Sequence, residues 1–91
     1  MAKGQFYIVY MHVNPDVTPD DVKKKMDLAV DWFRIDPKVW VVYTTSNAEK
    51  WHARLEPLVV PDGNLLINKL DMSDQQGWIT ERFWEWLKEG R

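Results

Sequence analysis

The order of patterned segments predicts an α+β protein: an antiparallel sheet with strand–helix–strand–strand–helix–strand connectivity, then one added C-terminal helix. Three observations carry that expectation. Two strand-like runs, Gln5 to Val13 and Lys38 to Thr45, are apolar at both odd and even positions. A strand with one face in water shows a single apolar set, so these two should lie centrally and be covered on both sides. Each is followed by a helix-start signal, Thr18-Pro19-Asp20-Asp21 and Ser46-Asn47-Ala48-Glu49. The last stretch, Ile79 to Lys88, places aromatic and aliphatic residues at helical spacing.

Taken in order, the first strand presents Phe6, Ile8 and Tyr10 on one face and Tyr7, Val9, Met11 and Val13 on the other. Asn14-Pro15-Asp16 ends it, because proline cannot continue a ladder and Asn and Asp favour turns. Thr18 is placed to cap the first helix, with Pro19 at its first position and two acids against the positive end of the dipole. Val22, Met26, Ala29 and Phe33 recur at helical spacing and mark a buried stripe, while Lys23, Lys24 and Lys25 fall mostly off it. Asp31 to Ile35 reads either as the last turn of this helix or as a short strand. The residue before a proline disfavours helical geometry, so a short edge strand, turned by Asp36-Pro37 into the central one, is the expectation.

The central strand carries Val39/Val41/Tyr43 on one face and Trp40/Val42 on the other. Ser46 and Glu49 form a capping box for the second helix, whose inward face is Ala48, Trp51, Leu55 and Leu58, and Pro57 is expected to stop it. Pro61-Asp62-Gly63 is a turn. Asn64 to Leu70 is the last strand, and its mixed Leu66/Asn68/Leu70 face suits a sheet edge. Met72 to Gly77 is polar and turn-like. Thr80 or a neighbour opens the final helix, with Ile79, Phe83, Trp86 and Leu87 on one side and Lys88 before a Gly90 stop.

This order is that of a ferredoxin-like βαββαβ sheet with both helices on one face. The chain is expected to be one domain, residues 1–91, with the sheet and its two helices in 5–70 and a helical extension in 71–91. Such a sheet leaves its second face bare, yet the two central strands are apolar there too. At about 25 cal/mol per Å² of apolar surface, leaving that face wet would forfeit several kcal/mol. The candidate covers are the C-terminal helix, a second copy of the chain, or both.

Composition narrows the function classes. With 91 residues, 45% hydrophobic and 29% charged, the chain has the make-up of a small globular domain and not of a disordered segment. A net charge of −2 argues against nucleic acid as the main partner, although a local basic strip remains open. There is no cysteine, hence no disulfide and no thiolate metal site. No stretch has the length of a membrane span, and Met1-Ala2-Lys3-Gly4-Gln5 has no signal-like apolar run, so a cytoplasmic setting is the expectation.

Trp32-Phe33-Arg34-Ile35-Asp36 leading into Val39 to Thr44, the helix ending Arg54-Leu55-Glu56-Pro57-Leu58, the strand after Asp62, and the closing Gly77-Trp78-Ile79 with Phe83 to Lys88 form a pattern across nearly the whole chain. It resembles the SinR-like branch of the CRISPR-associated endoribonuclease superfamily, which also includes virulence-associated D-type toxins. The resemblance implies a ferredoxin-like fold and a homodimer, with some members metal-dependent nucleases and others structural subunits. In that superfamily the first strand commonly ends in Tyr-Asp. Here the matching pair is Tyr10-Met11, and a thioether cannot hold a hard, oxygen-seeking Mg²⁺ ion. The departure favours a non-catalytic, homodimeric interaction module. A metal-dependent endoribonuclease with an altered site and a small inhibitor or regulator of a larger complex are the alternatives.

The candidate sites follow. His12 and Asp16 are the weak catalytic candidates, set against a plain strand end and turn. His52 reads as a solvated helix residue without an acidic partner one turn away. Asp20-Asp21 and Asp71/Asp74 read as helix-start and loop acids, so no metal or other cofactor is expected. Lys23, Lys24, Lys50 and Arg54 are the nucleic-acid candidates if the two helices lie side by side, with Trp51 near for base stacking; the plainer reading is a solvated helix face. Trp84, Trp78, Trp40 and Met11 are the partner-binding candidates, Trp84 because it sits off the helix face that packs.

Overall fold

A computed structural model describes residues 3–89 and 91. Its elements are β1 (Gln5–His12), α1 (Pro19–Met26), β2 (Asp31–Asp36), β3 (Val39–Thr44), α2 (Ala48–Val59), β4 (Asn64–Lys69) and α3 (Glu81–Leu87). The strands form one antiparallel sheet in the order β2-β3-β1-β4. That is the ferredoxin-like arrangement with an added C-terminal helix. The doubly apolar runs, β1 and β3, are the central pair, and β2 and β4 are the edges.

Two apolar layers sandwich the sheet. On one side Tyr7, Val9 and Met11 of β1 and Trp40 and Val42 of β3 meet Met26 of α1 and Trp51, Leu55, Leu58 and Val59 of α2. On the other, Val41 packs with Phe83, Trp86 and Leu87 of α3, joined by Phe6, Ile8, Phe33 and Ile35. The face that the two inner helices leave bare is therefore covered on its β2 side by the C-terminal helix. Trp86 anchors it: its ring meets Phe6 edge-on at 5.8 Å, and its Nε1–H donates to the Asp31 carboxylate at 2.9 Å. The Arg91 guanidinium lies 4.4 Å over the Trp86 ring and donates to the same carboxylate at 3.1 Å.

Several boundaries differ from the sequence expectation. α1 ends at Met26, so Phe33 belongs to β2 and faces α3, not the stripe of α1. Its Thr18 cap forms, with Asp21 completing the capping box. The cap of α2 is Asn47, whose side chain accepts from the Lys50 amide at 2.9 Å. Ser46 is diverted because its own amide donates to the Thr44 hydroxyl. Pro57 does not stop α2, which runs on to Val59 with the Val60 amide bonded to the Glu56 carbonyl. An interior proline costs about 3 kcal/mol, while Leu58 and Val59 are both buried and each regains roughly 1.5–3 kcal/mol. The packing wins. β4 ends one residue early, at Lys69, and the Gly90 helix stop lies outside the described residues.

Candidate functional site

Two features can meet another molecule: a cavity beside α1, and an apolar strip at the β4 edge. The cavity, about 410 Å³, opens between α1 and the strands β2 and β3. It exists because α1 has only eight residues, too few to span the helix side of the sheet, while α2 packs over β1 and β4. Met11, Val17, Val22, Trp32 and Trp40 line it. Around its mouth stand Lys23, Arg34 and Lys38, against one acid, Asp20. Arg34 and Trp40 are cross-strand neighbours, and the guanidinium sits 4.9 Å from the Trp40 ring. Its Nη2 donates to the Pro37 carbonyl at 2.7 Å, which fixes its direction.

The charges nearby are partly committed. Lys23 donates to Asp27 at 2.8 Å, and the Trp32 indole N–H donates to the same carboxylate at 2.9 Å. The bond from Lys23, then that from Trp32, holds the Asp27 carboxyl below its ordinary range, and the same pairing raises Lys23. Thr18 lowers Asp21 through the capping box, and Ser73 lowers Asp71.

The strip lies on the α3 face. Tyr10 pairs with Leu66 across the β1–β4 ladder, and they are 38% and 58% exposed. They stay open because α3 contacts β2, at the far edge of the sheet from β4. Val39, opposite Tyr10 on β3, continues the row. Leu70 donates to the Phe6 carbonyl at 2.9 Å; antiparallel ladders alternate, so Leu65, Ile67 and Lys69 turn their backbone groups toward the unpaired edge.

The sequence candidates scatter across these features. Met11 and Trp40 are interior, 1% and 3% exposed, so neither can form a partner surface. Their outward reading fails because the helix layer claims their face of the sheet. Trp84 is half-buried, with its ring 5.3 Å from Phe83 and packed on the α3 cluster, so it is not the exposed anchor expected of it. Trp78 is fully exposed, at 100%. His12 borders the cavity at an exposed strand end, and Asp16 sits in the turn beside a different recess with Asn14 and Asp62. The two do not converge.

Lys24 and Lys50 are exposed on α1 and α2. Trp51, however, is fully buried with its Nε1–H donating to Thr44, so no base can stack on it. Arg54 is half-buried and lies over that ring at 4.9 Å instead of facing solvent as part of a strip. His52 does have an acidic partner, Glu56 at 3.5 Å one turn on. Among the described residues, no three His, Cys, Asp or Glu side chains group to hold a metal, and no helix is long and apolar enough to cross a membrane.

Sequence reasoning missed Asn14. Its amide donates to the Val60 carbonyl at 2.6 Å and accepts from the Asp62 amide at 3.0 Å, tying the end of β1 to the loop before β4. It also missed the Arg34–Trp40 stack, whose only signal is that the register pairs them across the β2–β3 hairpin. No family model, no curated protein and no solved structure matches the chain.

Proposed function

We propose that the chain is a non-catalytic interaction module that self-associates as a homodimer, the role its resemblance to the CRISPR-associated endoribonuclease superfamily implies. The exposed Tyr10–Leu66 strip beside the unpaired edge of β4 carries this reading. An open strand edge with apolar neighbours is a template for another strand, and a two-fold axis at β4 pairs the edge with its own copy. That contact joins two sheets and continues the strip from one protomer into the next.

Size-exclusion chromatography with light scattering tests it. The expected mass at tens of micromolar is twice that of the chain. Lys69→Pro removes an edge amide that β1 does not use, and Leu66→Arg puts charge in the strip; each should give a folded monomer. A wild-type monomer would overturn the proposal.

The endoribonuclease alternative gains no support from the strand end. Met11, at the position where the superfamily commonly has aspartate, points into the helix-side core. Incubation with single-stranded RNA in Mg²⁺ or Mn²⁺ is expected to leave the RNA intact.

A further inference from the structure

The cavity beside α1 lies over β2 and β3, at the opposite edge of the sheet from the strip, so it stands or falls apart from the dimer. Its size falls within the range of small-molecule sites, and its walls are mainly apolar with few convergent polar groups. Water against Trp32, Val17 and Val22 finds few partners, so an apolar body that displaces it gains free energy.

The mouth selects for charge. Lys23 is already neutralised by Asp27. Arg34 is held by its stack on Trp40 and by one bond to Pro37, which leaves further guanidinium donors unused among the described residues. Lys38, also at the mouth, makes no ion pair among the described residues. Two available cations thus face one acid, Asp20, across an apolar floor.

We propose that this cavity is a binding site for a small amphipathic carboxylate. Its planar or branched apolar body lies between Trp32, Val17 and Val22, and its carboxylate is taken by Arg34 and Lys38. The fork of Arg34 matches a carboxylate's two oxygens, and Lys38 adds a mobile point charge.

Titrating the full chain with indole-3-propionate, and separately with neutral indole-3-propanol, while recording amide and indole N–H resonances tests the site. The expected result is saturable shifts at Val22, Arg34 and the Trp32 and Trp40 indoles. The anion should bind roughly three- to tenfold tighter than the alcohol. Lys38→Glu and, separately, the charge-removing Arg34→Gln should each narrow that gap between acid and alcohol. Absence of saturable shifts, equal affinity for acid and alcohol, or shifts confined to the α3 face would each overturn the assignment. A parallel titration with inorganic phosphate separates a general anion site from a carboxylate site; phosphate giving the same shifts as strongly would also overturn it.

Discussion

Asn14 closes a loop that no local pattern announces. It is buried, and both of its amide atoms bond to backbone beyond α2. Replacing it with Ala strands a carbonyl and an amide in a partly dry site, so Asn14→Ala should cost about 1–3 kcal/mol, read as a lower urea midpoint. The Asn-Pro-Asp turn itself was legible. Its clamp was not, because the partners lie 46 and 48 residues away. Gly63 belongs to the same junction: a Cβ there would collide with the His12 carbonyl, which explains a glycine at the tip of the Pro-Asp-Gly turn. A second residue-scale prediction concerns Asp27. Its carboxyl is depressed by Lys23 and Trp32, so the stability it contributes is present above the ordinary carboxylate range and is lost as pH falls through its folded value. Denaturation midpoints of wild type and Asp27→Asn should therefore differ at neutral pH and draw together as pH falls below the ordinary carboxylate range.

Among the elements, α3 is the most consequential. Its apolar stripe was readable from spacing, but spacing alone left open whether it, a second copy or both covered the sheet. The aromatic contacts show α3 packed on β2: Phe33 meets Phe83 at 5.5 Å and Trp86 at 5.7 Å. Trp86→Ala should cost about 3–5 kcal/mol and increase binding of an apolar dye, measured by thermal melting with dye fluorescence. The central strands were legible because both of their faces are apolar. The cap and end of α2 were misread because tertiary bonds override local signals there: Thr44 takes the Ser46 amide, and burial carries the helix past Pro57. Trp84 was misplaced for a related reason. It lies off the main stripe, yet it packs on the α3 cluster with Gly77 beside its ring.

For the whole molecule, covering both faces leaves the Tyr10–Leu66 strip and the β4 edge as the surfaces best suited to self-association. If two copies pair there, dissociation is linked to unfolding, and the melting temperature should rise with protein concentration. Differential scanning calorimetry over a hundredfold range checks this, with Lys69→Pro expected to flatten the dependence. The proposed dimer edge and the proposed carboxylate site lie toward opposite margins of the sheet, so ligand should leave the oligomer mass unchanged. Placing β1 between β3 and β4 also bears on biosynthesis. The strand made first must wait for ladder partners from the middle and then the latter half of the polypeptide, and the lid over its second side, α3, is the last of the seven elements to be translated. Once the chain as far as Ser73 has emerged and before α3 follows it, the sheet has one flank greasy and bare, the stage at which a chaperone would find most to grip.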